Sequence, residues 1–67
     1  MKIIESGSEL EVPSGCTVEK LLAILGEDGR HDMIVEINHV FVHAKDYSCA
    51  QIREGDQIEL IHLAFGG

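Results

Sequence analysis

Apolar and polar positions alternate near both ends of the chain and fall into a helical rhythm once, between them. Glu9-Leu10-Glu11-Val12 alternates strictly, the pattern of a half-buried strand with Leu10 and Val12 facing inward. A short strand over residues 2–6 precedes it, and Ser6-Gly7-Ser8 predicts a tight reversal in which glycine supplies the positive φ. The opening unit is therefore predicted to be a β-hairpin, ended by the strand-breaking Pro13-Ser14-Gly15. Val18, Leu21, Leu22 and Leu25 then recur at i, i+3, i+4 and i+7, which predicts a helix over 18–25 with one apolar stripe. Thr17 is its expected N-cap and Glu19 suits the positive end of its dipole, while Lys20 stands where a full capping box would carry Glu or Gln. Gly26 is placed to close the helix in the left-handed region.

After a polar loop over 27–32, Met33-Ile34-Val35-Glu36-Ile37 is almost continuously apolar, as an internal strand would be. Asn38-His39 predicts a turn, because asparagine tolerates the left-handed region, and residues 40–42 a brief strand. Residues 45–51 show no sustained period and are expected to form a short helical turn. Glu54-Gly55-Asp56 launches a last strand predicted over 57–65. One helix across one face of a mixed sheet is the economical way to cover this apolar surface. The first and last strands would pair in parallel at the centre through a right-handed crossover. The expected class is α+β: a β-grasp, or ubiquitin-like roll, with four to five strands and one main helix, a single domain over 1–67 with 63–67 a flexible C-terminal tail.

Composition narrows the possible functions. At 67 residues only about 60% of the unfolded surface can be buried, leaving little room for a core and an enclosed active site together. A self-contained enzyme with catalytic residues of its own is therefore not expected. Five Lys and Arg against twelve Asp and Glu give a net charge of −7, which disfavours nucleic acid and favours basic protein surfaces. No apolar run approaches a membrane span and no secretion signal opens the chain, so a cytoplasmic location is expected. Cys16 and Cys49 are read as free thiols. His31, His39, His43 and His62 form no zinc-ligand pattern, so no metal site is expected. His62 has nothing near it in sequence to orient it as an acid or base.

Gly66-Gly67 closes the chain. A carboxylate on residues without side chains can enter a narrow site that a Cβ would block. Fully extended, Leu63 to Gly67 would span on the order of 17 Å, enough to reach into a partner while the body stays outside. Parity along the last strand puts Ile58 and Leu60 on one face and Glu59, Ile61, Leu63 and Phe65 on the other. If the first set packs under the helix, Ile61, Leu63 and Phe65 form an apolar row beside the tail, a candidate docking surface. Twisting of the strand to bury them is the competing expectation.

Over nearly its whole length the chain resembles the small sulfur carriers of thiamin biosynthesis, the ThiS/MoaD group. The resemblance is carried by Val12-Pro13-Ser14-Gly15 with Thr17-Val18 and Leu21-Leu22, by Ile37-Asn38, by Arg53-Glu54-Gly55-Asp56 with Ile58-Glu59-Leu60, and by Gly66-Gly67. The group usually has Asn-Gly where this chain has Asn38-His39, and the other histidines and both cysteines match no motif of the group. The resemblance implies that Gly67 is adenylated by an E1-like enzyme using ATP and magnesium, with no cofactor bound by the carrier itself. A sulfur donor protein then leaves a thiocarboxylate on Gly67, which passes its sulfur to thiazole synthase. The small subunit of molybdopterin synthase, a ubiquitin-like modifier and a non-covalent β-grasp binding module remain open alternatives.

Overall fold

Strand β1 (Lys2–Glu5) pairs antiparallel with β2 (Ser8–Glu11), with Glu5 opposite Ser8. The structure, a computed structural model, describes residues 1–27 and 32–63. Ser6 and Gly7, between the paired strands, both take positive φ, 50° and 85°. This is the mirror-image turn whose twist matches that of a hairpin. The sequence assigned the left-handed backbone to the glycine, and the structure shares it with the serine.

Helix α1 (Val18–Ile24) begins where expected, with Thr17 Oγ1 accepting from the Lys20 amide at 3.2 Å and satisfying one of the orphan donors of the first turn. Its end is one residue earlier than predicted, because Leu25 is the C-cap. Gly26, at φ 76°, donates its N–H to the Ala23 carbonyl at 3.2 Å, and Glu27 donates to that of Leu22 at 2.8 Å. These crossed bonds close the last turn, and the backbone they need is one that glycine adopts without a Cβ penalty. Val18, Leu21 and Leu22 are buried and Leu25 packs against them. Each fully buried side chain of this kind stabilises the fold by about 1.5–3 kcal/mol.

The short helical turn expected over 45–51 is present and begins one residue earlier, as a 3-10 turn at Ala44–Asp46 followed by bonds from the Cys49 and Ala50 amides to the Asp46 carbonyl at 3.0 and 2.8 Å. Its later carbonyls are used elsewhere. Val18 donates to Ala50 and Glu19 to Tyr47, each at 2.9 Å, so the segment caps the first turn of α1 as well as bonding to itself. Gln51 forms an isolated bridge with Thr17.

Strands β3 (Met33–Ile37) and β4 (Val40–Val42) pair antiparallel with Ile37 opposite Val40. The intervening Asn38 and His39 both have positive φ, 51° and 70°. The turn is thus the same mirror-image type as the first, with histidine at a position that favours glycine. Replacing His39→Gly is expected to remove a left-handed penalty of about 1–2 kcal/mol while adding about 0.4–1 kcal/mol of unfolded-chain entropy. The net gain is on the order of 0.5–1 kcal/mol, readable as a melting-temperature rise of roughly 2–8 °C. A fall in melting temperature would mean that the His39 side chain makes a compensating contact.

Strand β5 (Gln57–His62) completes a five-stranded sheet in the order β2-β1-β5-β3-β4. β1 and β5 run parallel at its centre and the other pairs are antiparallel, the topology anticipated for a β-grasp. The core lies between α1 and one face of this sheet, where Ile3, Leu21, Val35 and Ile58 are essentially inaccessible. Two of the motifs quoted above meet here. Asn38 Nδ2 donates to Asp56 Oδ1 at 3.1 Å, and Asn38 Oδ1 accepts from the Gln57 amide at 3.0 Å. Asp56 Oδ2 also accepts from the Arg53 amide at 2.8 Å. The β3–β4 turn is thereby tied to the start of β5, and both motifs are structural. No helix among the described residues is long and apolar enough to cross a membrane.

Candidate functional site

The candidate site is the end of β5 and the sheet face that α1 leaves bare. Against β3, β5 pairs in the register Met33–His62, Ile34–Ile61, Val35–Leu60, Glu36–Glu59 and Ile37–Ile58. Ile58 is buried and Leu60 packs against the core, so Glu59 and Ile61 point to the opposite side. Ile61 is 38% exposed and Leu63 37%. Twist does not bury them. Phe65, Gly66 and Gly67 lie outside the described residues, as does the last part of the strand predicted over 57–65. The assigned strand ends at His62, and the Leu63 amide still donates to the Asp32 carbonyl at 2.7 Å.

The bare face holds more apolar surface than the sequence reading identified. Phe41, on β4 opposite Glu36, is half exposed, and its ring meets His43 edge-on with centroids 4.5 Å apart. Ile34, opposite Ile61, is partly exposed. Three apolar residues in β4 give no sign of which one lies on the bare face until the β3 register is known, and Val40, opposite Ile37, is exposed as well.

His62 has a partner that its neighbours in sequence do not reveal. Its Nε2 lies 3.2 Å from Glu27 Oε1, where the closing turn of α1 brings the carboxylate to the end of β5. Both side chains are solvated, and such a pair contributes little to stability. Glu27 also lines a shallow groove with Glu19, Leu22 and Tyr47, on the helix side of the sheet and away from the Ile61 face.

Cys16 is buried, and burial pushes its thiol above the ordinary value. It is therefore a poor nucleophile. Cys49 is exposed, and both thiols are free. Among the described residues no three metal-ligating side chains converge and no charged side chain is buried.

Comparison with known proteins agrees with this geometry. A thiazole synthase of Paramagnetospirillum magneticum is 34% identical over 67 residues, a match that takes in 100% of this chain. The chain spans only 20% of the length of that curated relative. The fold is shared with the crystal structure of a thiamine biosynthesis protein (ThiS) from Geobacter metallireducens, at TM-score 0.86 and 22% identity over all of both chains. An NMR solution structure of a thiamine biosynthesis protein from the same organism gives TM-score 0.79 at 21% identity, covering 100% of this chain and 88% of the other. The model of the ThiS family matches residues 1–67, and the chain belongs to that family.

Proposed function

We propose that the protein is a sulfur carrier for thiazole synthesis and that the Gly67 carboxylate is the group that carries the sulfur. The observation that bears most weight is the family match over 1–67, which includes the Gly66-Gly67 pair of the sequence. A free carboxylate is a poor acyl donor because its oxygen leaves badly. A partner adenylating enzyme with ATP and magnesium would convert it to an acyl-adenylate, releasing pyrophosphate. Sulfur from a donor protein, typically a persulfide, would then attack the acyl carbon and expel AMP. A thiol reductant breaks the S–S bond that remains and leaves the thiocarboxylate. The absence of side chains on Gly66 and Gly67 keeps that carbon open to attack. The chain itself supplies no acid, base or metal, so it acts as a carrier and co-substrate. The name of the relative from Paramagnetospirillum magneticum supports a thiazole synthase as the acceptor.

The deciding experiment is intact mass after incubation with a thiamin-pathway adenylating enzyme, ATP, magnesium and a sulfur donor. A gain equal to the difference between a sulfur and an oxygen atom is expected. No gain, or attachment of the chain to lysines of other proteins, would discard the reading.

Docking of the adenylating enzyme is assigned to the face carrying Ile61 and Leu63, to which sequence parity alone adds Phe65. Ile61 is only 38% exposed and pairs with Ile34, so Ile61→Asp is expected to leave the chain folded with a melting temperature lower by roughly 4–8 °C, the loss of about 1 kcal/mol of cross-strand contact. A charge in the centre of an apolar contact is expected to weaken binding by about tenfold or more, as titration calorimetry would read, and Phe65→Asp is expected to act in the same direction. Unaltered affinity in both variants would remove this face from the interface.

A further inference from the structure

Two carboxylates occupy the middle of the bare face, and the fold gives a physical reason to ask what they are for. Glu36 and Glu59 are direct cross-strand partners in the β3–β5 ladder, and residues so paired have Cβ atoms only about 4.5–5.5 Å apart. Like charges directly opposite one another destabilise a sheet. Neither forms an ion pair among the described residues. The face's lysine, Lys2, lies across the sheet on β1, 3.8 Å from Glu9 on β2. Either position could carry a glutamine at no cost to the fold, so the repulsion is a local conflict between sequence and stability.

The surroundings indicate what would relieve it. Across the strands the row reads Glu59, Glu36, Phe41, two carboxylates and then a half-exposed ring. Beside it runs the apolar pair Ile34–Ile61. A guanidinium fits this row better than an ammonium. Its planar fork can donate to two carboxylates at once, and its face can stack on an aromatic ring. A wholly apolar partner would instead desolvate both charges without compensation.

We propose that the partner docking on this face presents an arginine, set among apolar groups, to the Glu36–Glu59 pair and Phe41. This deepens the docking assignment made above and rests on it. The acidic pair serves recognition of a basic protein surface at the expense of the free carrier's stability, the kind of trade-off expected where a binding site conflicts with the fold.

The test uses the full chain with the thiamin-pathway adenylating enzyme and reads stability and binding in parallel. Removing either charge, in E36Q or E59Q, is expected to raise the melting temperature of the free carrier by roughly 1–8 °C. The double variant is expected to bind the enzyme about tenfold more weakly and to lose much of the salt dependence of its association rate. Glu59→Lys, which creates an opposite-charge pair with Glu36, is expected to be the most stable of the set and the weakest binder. Affinity that is unchanged or increased in the double variant would overturn the proposal, as would a fall in its melting temperature. The Ile61→Asp variant separates the two levels of inference. If it also binds normally, the docking face itself is wrong. If it binds poorly while the glutamine variants bind normally, only the arginine is.

Discussion

A single alanine added after Gly67 is expected to abolish sulfur loading while leaving the melting temperature unchanged. The added residue displaces the terminal carboxylate by about 3.3–3.6 Å along an extended chain. It also places a methyl group beside the carbon to be attacked. Misplacement of reacting groups by about 1 Å already costs on the order of a hundredfold in rate, so loading below about 1% of the unmodified chain is the expected result. Pyrophosphate release and intact mass measure the two steps separately. Loading at the normal rate would show that the carboxylate of Gly67 is not the acceptor, and with it the carrier reading would fall.

Leu21→Ala is expected to have the largest effect on folding. Leu21 is fully inaccessible in the middle of α1, and truncation of a buried leucine costs about 2–5 kcal/mol in lost transfer energy and residual cavity. Domains carry roughly 0.05–0.15 kcal/mol per residue, so a chain of 67 residues has only about 3–10 kcal/mol to lose. A fall in melting temperature of roughly 10–40 °C follows, and much of the population is expected to be unfolded at physiological temperature. Ile24, on the same helix but 44% exposed, is the internal control. Ile24→Ala is expected to change stability by no more than about 0.5 kcal/mol. Equal effects at the two positions, measured by thermal or urea denaturation, would mean that α1 does not pack on the sheet through the 18–21–22 stripe.

How legible the fold was depended on how local its causes are. Thr17, the apolar stripe of α1 and Gly26 lie within a few residues of the groups they act on, and their roles followed from spacing alone. The short helical turn over 45–51 was legible too, but not that the Tyr47 and Ala50 carbonyls accept from Glu19 and Val18, residues far away along the chain. Asn38-His39 was recognisable as a turn. That histidine shares the left-handed backbone with asparagine became visible only when Ile37 was seen opposite Val40.

The candidate site divides in the same way. Alternation along β5 sorted Ile58 and Leu60 from Glu59 and Ile61, because side-chain parity is a property of a single strand. The family resemblance, resting on short motifs in a fixed order, was also available without coordinates. Register between strands was not. It decides that Glu36 faces Glu59, that Phe41 stands beside them and that Glu27 reaches His62, and no local pattern encodes it. By itself the chain determined its elements, the inward face of each and the glycine pair at its end, since these depend on neighbours within a turn or two. Only tertiary structure decided which charges and rings share the bare face, because that depends on hydrogen-bond pairing between strands distant in sequence.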